Sequence, residues 1–164
     1  MWFLRQMRDW VKQHGSDNIV YFDESGFTEH CYRPHGWAKR GTKVHGKITG
    51  NQRKGRINLI MAQRGKEWLA PMLFEGGCNH HTVLAWIKQA LLKELRPNSL
   101  VIMDNAPFHN KPKIKQLLEQ HGHTLMPLPT YSPDLNPIEQ SFSVIKRRRQ
   151  TSGKSIEKIL IGKY

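Results

Sequence analysis

The sequence predicts an α/β fold in which a mixed β-sheet is flanked by helices. Two short segments, 19–22 and 100–103, are apolar at every position, which is typical of strands buried on both faces. Two longer strand-like segments, 56–62 and 68–74, are joined by a predicted turn around Gly65. Strand and helix patterns then alternate along the chain. Antiparallel-looking strands followed by strand–helix alternation indicate a mixed sheet with helices on its faces.

Helical periodicity and turn residues complete the predicted order of elements. Helices are expected at 2–14, 79–95, from about Pro112, from about Pro137 and, in shorter form, at 155–161. Two further short strands are expected at 36–38 and 125–128. We find no internal repeat and no obvious linker. The chain is therefore predicted to be one domain at 18–150, preceded by a helical segment at 1–17 and followed by a tail at 151–164.

The charge of the chain is its most prominent bulk property. Among 164 residues, 26 are Lys or Arg and 13 are Asp or Glu, so the net charge is +13 and the pI is near 10.0. The basic residues are clustered at 39–47, 53–56 and 146–149. A clustered positive surplus favours a polyanionic partner, of which nucleic acid is the most common.

Several classes of protein are disfavoured. No run of 18 apolar residues is present, so no membrane-spanning segment is predicted. The first ten residues contain Arg5, Arg8 and Asp9 and lack the apolar core of a secretory signal. Cys31 and Cys78 are too few for a disulfide framework and fit a reducing compartment. We therefore expect a cytoplasmic, nucleoid-associated protein.

Two aspartates follow the two fully apolar strands. Asp23 and Asp104 are each expected just past the end of such a strand, where ligand sites of open α/β sheets gather. If the strands are parallel neighbours, the two carboxylates converge and repel each other. A shared proton, a basic side chain or a metal cation would have to neutralise them. The alternative for each aspartate is a role in forming a turn or capping a helix.

A third acid lies on the last long helix. Ile138, Phe142 and Ile145 form an apolar stripe, and Glu139 lies beside it, so its carboxylate is expected to reach the strand ends. Three carboxylates are enough to hold two Mg²⁺ ions roughly 3.5–4 Å apart. The alternative is structural, because Glu139 occupies the position from which a capping box bonds the backbone N–H of Asn136.

Three sequence segments favour the catalytic interpretation. They are FDES at 22–25, MDNAPFH at 103–109 and LPTYSPDLNPIE at 128–139. Together they resemble the DDE transposases of the mariner-like superfamily, and in particular the bacterial insertion-sequence type. The 34 residues between Asp104 and Glu139 match a spacing used in that family. The resemblance covers about residues 18–150 and implies a ribonuclease-H-like fold with a five-stranded mixed sheet.

The resemblance also implies an activity and a set of residues. Asp23, Asp104 and Glu139 match the three catalytic acids that bind two Mg²⁺ or Mn²⁺ ions. The implied reaction is cleavage at element ends, followed by strand transfer into target DNA, and the implied assembly is a homodimer. Asn105 and His109 also match the motif. His109 is expected either to orient a phosphate or water, or only to pack and bond its loop.

The basic run at the end of the last long helix has two interpretations. The overall charge favours contacts with the DNA backbone beside the active site, and the alternative is a solvated helix end. The four residues concerned are Lys146, Arg147, Arg148 and Arg149.

The chain departs from the family pattern at its N-terminus. Family members carry helix-turn-helix modules that read the terminal repeats, whereas only about 17 residues precede the first predicted strand. We therefore expect either a second reading frame, which works with an upstream-encoded helix-turn-helix portion, or a truncated copy. Two alternatives to a transposase remain at this point: a ribonuclease-H-like nuclease and a non-catalytic DNA-binding remnant.

Overall fold

The computed structural model describes residues 2–28 and 55–162. Five strands form one sheet in the order β3-β2-β1-β4-β5. Their bounds are β1 Ile19–Thr28, β2 Arg56–Arg64, β3 Glu67–Glu75, β4 Leu100–Met103 and β5 Thr124–Pro127. The first three strands pair antiparallel, while β1–β4 and β4–β5 pair parallel, so the sheet is mixed.

Six α-helices accompany the sheet within the described residues. They are α1 Trp2–His14, α2 His80–Trp86, α3 Leu92–Glu94, α4 Lys111–Gln120, α5 Ile138–Ser152 and α6 Ile156–Ile161. A π-helical turn, Ile87–Leu91, joins α2 to α3. The single helix predicted at 79–95 is therefore continuous in the chain but widened in its middle. No helix of the described part is both long enough and apolar enough to cross a membrane.

The helices cover both faces of the sheet. On one face, side chains of α2, the π-helical turn and α4 pack on β1, β4 and β5; the buried residues there include Phe22, Trp86 and Ile114. On the other face, α5 and α6 pack on β1, β2 and β3, while α1 packs on β4 and β5. Every residue of β4 is buried, because both of its faces are covered.

The predicted fold class, a mixed five-stranded sheet flanked by helices, is confirmed. The stripe of Ile138, Phe142 and Ile145 is buried as predicted. Gly122 follows α4 with φ +78°, a conformation that favours glycine at the end of a helix. The strand predicted at 36–38 lies outside the described residues. The boundaries of the predicted segments 1–17, 18–150 and 151–164 stay a prediction.

Candidate active site

The parallel pairing of β1 with β4 brings two aspartates to one point of the sheet. Its last pair joins Phe22 to Met103, and β4 ends there. Asp23 and Asp104 directly follow these paired residues. Since neighbouring strands lie about 4.8 Å apart, the two carboxylates start from adjacent backbone positions. The parallel neighbours that the predicted convergence of the two carboxylates requires are therefore present, and the two carboxyl groups interact electrostatically.

The predicted position of Asp23 past the end of its strand is wrong. β1 continues for five more residues, to Thr28, and Asp23 lies within it. The strand continues because residues 24–28 pair with β2, although they have lost β4 as a neighbour. Asp23 therefore lies on a strand held from one side only, where the backbone is fixed and the other edge is open.

Asp23 is tightly surrounded. Its Oδ1 atom accepts the backbone N–H of Glu24 at 2.8 Å, and its Oδ2 atom accepts the side-chain amide of Asn136 at 3.1 Å. Burial raises the pKa of Asp23 to about 7, and repulsion from Glu24 and Asp104 adds to this rise. The carboxyl is therefore held where its negative charge is costly unless a cation comes close.

Asp104 has the opposite electrostatic balance. Its Oδ1 atom accepts a hydrogen bond from the backbone N–H of Ala106 at 3.3 Å, and this bond forms the local turn that was the structural alternative for Asp104. The same Oδ1 atom lies 3.2 Å from Nε2 of His109. Burial alone would raise the pKa of Asp104, but His109, the amide of Ala106 and Lys111 together lower it. Asp104 therefore both forms the local turn and lines the cleft.

His109 is a buried cation between two acids. Its side chain is 0% exposed, and its Nε2 atom lies 3.2 Å from Asp104 and 3.4 Å from Oε1 of Glu24. Within the described residues, neither ring nitrogen has a well-aligned hydrogen bond, but both carboxylates are close enough to stabilise the protonated ring. Burial alone would lower the pKa of His109, but Asp104 and Glu24 raise it to about 9. The ring is therefore an imidazolium at neutral pH.

Glu24 is a fourth acid at the site, and the sequence analysis did not single it out. Its Oε1 atom accepts a hydrogen bond from the thiol of Cys78 at 3.3 Å and also faces His109. Burial raises the pKa of Cys78 to about 12, and Glu24 contributes to the rise, so the thiol stays protonated. Because side chains alternate along a strand, Glu24 points to the opposite face from Asp23. The FDES motif contained this signal.

Glu139 lies in the first turn of α5 and is exposed to solvent. The capping-box alternative is not present, because the backbone N–H of Asn136 donates to the carbonyl of Pro133 at 2.9 Å. No described side chain caps the start of α5. No described residue bonds the carboxylate of Glu139, so this side chain is free to turn toward the cleft.

Asn136 is the second residue that sequence reasoning missed. An Asn-Pro pair before a helix is typical of a helix cap, but the side-chain amide of Asn136 donates to Asp23, across 113 positions of the chain. It is 4% exposed, and its Oδ1 atom is buried without a partner in the described structure. Asn136 therefore ties the start of α5, which carries Glu139, to the strand that carries Asp23.

The remaining predicted site residues are Asn105, beside the aspartates, and the basic run on α5. Asn105 donates to Thr130 at 3.2 Å and accepts from Lys111, so its side chain bridges two loops beside the aspartates. In the basic run, Lys146 lies 5.6 Å from the ring centroid of Phe27. Lys146, Arg147 and Arg148 are exposed and Arg149 is half-buried, all on α5.

Two cavities meet at Asp104. The larger, of about 980 Å³, is lined by Asp23, Glu24, Arg56, Asp104 and neighbouring residues; we call it the main cleft. The smaller, of about 350 Å³, is lined by Asp104, Asn136 and Glu139 among others. Glu139 thus shares a cavity with Asp104, while Asp23 and Asp104 share the main cleft.

The oxygen donors at this point fit a hard divalent cation. Asp23 and Asp104 repel each other at an open sheet edge, and the amide oxygen of Asn136 is buried beside them without a donor. Carboxylate oxygens are the ligands that Mg²⁺ and Mn²⁺ prefer. Within residues 2–28 and 55–162, no three His, Cys, Asp or Glu side chains are grouped tightly enough to hold one ion. The fit therefore concerns the aspartate pair, with Glu139 close by.

Comparison with known proteins identifies the family. Residues 18–159 match the family described as DDE superfamily endonuclease. Because the match covers most of the chain, the chain belongs to this family. Its resemblance to DDE enzymes, stated from the three sequence segments, is confirmed at this level. No curated protein sequence matches the chain.

Solved structures of Mos1 transposase share the fold. In a Mos1 paired-end complex with the left transposon end, the TM-score is 0.67 and the identity 19%, over 88% of this chain and 46% of that one. For the catalytic domain of Mos1 mariner transposase, the TM-score is 0.56 and the identity 18%, over 87% of this chain and 67% of that one. For a Mos1 paired-end complex with Mg, the TM-score is 0.65 and the identity 20%, over 87% of this chain and 46% of that one.

The likeness to Mos1 covers only part of that protein. The chain spans about half the length of the Mos1 chains in the paired-end complexes. The shared architecture confirms the ribonuclease-H-like fold implied by the sequence resemblance.

Proposed function

We propose that this chain is the catalytic domain of a DDE transposase of the mariner-like superfamily, of the bacterial insertion-sequence type. The observation that carries the proposal is the placement of Asp23 and Asp104 side by side where the parallel pairing of β1 with β4 ends. Glu139 opens onto a cavity that it shares with Asp104. Membership of the DDE endonuclease family supports the same chemistry.

Asp23, Asp104 and Glu139 would hold two Mg²⁺ or Mn²⁺ ions. Such ions activate the attacking oxygen and stabilise the leaving oxygen of an in-line phosphoryl displacement. Support comes from the oxygen-only donors of the two aspartates and from the repulsion between them. The Mos1 complexes in the comparison include one with Mg and one with Mn.

Two neighbours prepare the acids for this role. The imidazolium of His109 lowers the pKa of Asp104, so that this carboxylate is ionised and its Oδ1 atom is held in place. His109 is a positioning residue in this proposal, because its buried ring faces carboxylates rather than solvent. Asn136 holds Oδ2 of Asp23 and fixes the start of the helix that carries Glu139.

The reaction follows the two steps of cut-and-paste transposition. In cleavage, the oxygen of a water attacks a phosphorus at the element end, the P–O3′ bond breaks, and the 3′ oxygen leaves as a hydroxyl. In strand transfer, that hydroxyl attacks a phosphorus of target DNA, whose own P–O3′ bond breaks. One P–O bond forms and one breaks in each step, so no external energy source is needed.

The DNA partners are the element ends and the target. The net charge of +13 provides the attraction, and Lys146, Arg147, Arg148 and Arg149 provide backbone contacts on α5. A homodimer and an upstream-encoded helix-turn-helix portion belong to the same proposal. The Mos1 structures that share this fold include a complex with a transposon end and a strand transfer complex.

The test is a cleavage and strand-transfer assay. The full chain is incubated with Mg²⁺ and DNA that carries the terminal inverted repeats flanking its coding sequence, with and without any upstream-encoded portion. We expect nicks at the repeat ends and joined products with target DNA. Equal cutting of repeat-free DNA or of an RNA–DNA hybrid would instead indicate a ribonuclease-H-like nuclease. No cutting under any of these conditions would contradict the proposal.

A further inference from the structure

Arg56 lies across Gly26 on the wall of the main cleft. A Cβ atom placed on Gly26 would lie 2.8 Å from the guanidinium carbon of Arg56, with two guanidine nitrogens closer still. In the β1–β2 register, Gly26 faces Asn58 and Thr28 faces Arg56, so both side chains belong to one face of the sheet. The missing side chain at Gly26 therefore makes the space in which the guanidinium lies.

The charge of Arg56 is not used within the described structure. The residue is exposed, and no described acid forms an ion pair with it. Four acids line the main cleft, and three of them have other partners, since His109 faces Asp104 and Glu24, and Asn136 bonds Asp23. The fourth, Glu75, forms no ion pair with Arg56 within the described residues. Arg56 is therefore not the counter-ion of these carboxylates, and its positive charge is available to an anion that enters the cleft.

We infer that Arg56, seated on Gly26, binds a backbone phosphate of the DNA that occupies the main cleft. Gly26 lies three residues along β1 from Asp23, a distance of about 10 Å for an extended strand, and it shares the sheet face of Glu24 rather than that of Asp23. Asp23, Asp104 and Arg56 all line the main cleft, so the phosphate belongs to the DNA held in that cleft. The planar guanidinium suits phosphate oxygens, and the glycine backbone beneath it fixes its height in the cleft.

This inference rests on the proposed function for the identity of the ligand as DNA. It adds a residue pair that the basic run on α5 does not include. Gly26→Ala offers a specific perturbation, because the three atoms nearest to the new methyl group all belong to the mobile guanidinium of Arg56. It displaces the guanidinium without removing the charge, whereas Arg56→Ala removes both.

The experiment measures binding of the full chain to a fluorescently labelled DNA duplex of arbitrary sequence, over a range of salt concentrations and without divalent metal. Five proteins are compared with the wild type: Arg56→Ala, Arg56→Lys, Gly26→Ala, the double variant of Gly26→Ala with Arg56→Ala, and Lys93→Ala. Lys93→Ala is the matched control, because it removes one exposed positive charge near Arg64, at the far end of β2 from Arg56. Thermal unfolding confirms that each variant is folded.

We expect Arg56→Ala to reduce the salt slope by about 0.9 and to weaken binding roughly five- to tenfold. Gly26→Ala should weaken binding in the same direction, and the double variant should be no weaker than Arg56→Ala. Arg56→Lys should keep the slope, and Lys93→Ala should match the wild type. An Arg56→Ala slope equal to that of Lys93→Ala would overturn the inference. Wild-type affinity in Gly26→Ala would overturn the role of the glycine seat.

Failure here is distinguishable from failure of the proposed function. Binding is measured without metal, so loss of catalysis does not affect it. A wild type that cleaves repeat ends, combined with an unchanged slope in Arg56→Ala, would remove Arg56 from the interface and leave the transposase assignment intact. A wild type without salt-dependent binding would contradict both.

Discussion

Asp23 and Asp104 are fixed by the sheet, whereas no residue within 2–28 and 55–162 fixes the carboxylate of Glu139. The two aspartates follow paired residues of adjacent strands, and each accepts hydrogen bonds from neighbouring groups. Glu139 is exposed on the first turn of α5, and no described residue bonds its carboxylate. The fold therefore fixes two of the three acids of the proposed site, Asp23 and Asp104, without a bound metal ion. The third acid is positioned only through the start of α5, which Asn136 ties to Asp23.

The largest effect is expected from the fixed pair. Asp104→Asn should reduce Mg²⁺-dependent cleavage by on the order of 10³-fold or more, because the neutral amide cannot hold a cation beside Asp23. Binding to DNA should stay nearly unchanged and salt-sensitive, since the basic surface is intact. Gel-based cleavage and equilibrium binding measure the two properties. Cleavage by this variant at the wild-type rate would rule out a metal-binding role for Asp104.

The link between the fixed and the free part can be broken at Asn136. Asn136→Ala removes the hydrogen bond to Asp23 and loosens the start of α5, so the Mg²⁺ concentration needed for half-maximal cleavage should rise about 10- to 100-fold. The matched control is Asn18→Ala, which removes a comparable bond, to the carbonyl of Pro97, at the opposite end of β1. The control should keep the wild-type metal dependence. Equal metal dependence in both variants would mean that Asn136 is only structural.

The cost of holding Asp23 in place can be measured as stability. Because its folded pKa of about 7 is above the unfolded value of 3.8, its contribution to stability is fully present below pH 3.8 and is lost as the pH rises through 7. Asp23→Asn should therefore be more stable than the wild type in metal-free buffer at neutral pH, by on the order of 2 kcal/mol or roughly 4–8 °C.

Thermal unfolding between pH 4 and 9 gives the comparison. His109, with its pKa raised to about 9, contributes stability that is lost between about pH 6.5 and 9 in both proteins. The difference between Asp23→Asn and the wild type should thus grow mainly between pH 4 and 7. A constant difference across that range would show that folding does not raise the pKa of Asp23.

The smallest effects are expected on the exposed part of α5. Lys146→Ala or Arg147→Ala should weaken DNA binding uniformly across sequences and reduce the salt slope by about 1. Both side chains are exposed, so folding stability should change by no more than about 0.5 kcal/mol. Salt titrations with several unrelated duplexes test the prediction. An unchanged slope would make the basic run a solvated helix end.

The apolar segments of the sequence predicted the sheet well. Residues 100–103 are apolar throughout, and a four-residue strand covered on both faces explains this pattern. The extension of β1 to Thr28 was not predictable in the same way. Residues 23–26 include Asp, Glu and Gly, which have low strand propensity, and the pairing with β2 keeps them extended.

The contacts among the residues of the proposed site could not be predicted from the sequence for a similar reason. An Asn-Pro pair before a helix normally indicates a cap, yet Asn136 bonds Asp23 because the fold brings its loop against β1. Glu24 adjoins Asp23 in the sequence, but its role depends on His109 and Cys78, which reach it from other elements. Local patterns predict elements and acids, whereas these contacts depend on tertiary packing.

The most direct test of the proposed site is a crystal structure of the chain with Mn²⁺, in which anomalous scattering locates the ions. We expect Mn²⁺ between the carboxylates of Asp23 and Asp104, with the carboxylate of Glu139 turned in as a ligand. Anomalous density elsewhere, or a Glu139 side chain that stays remote from ions bound by the two aspartates, would contradict the assignment of these three acids.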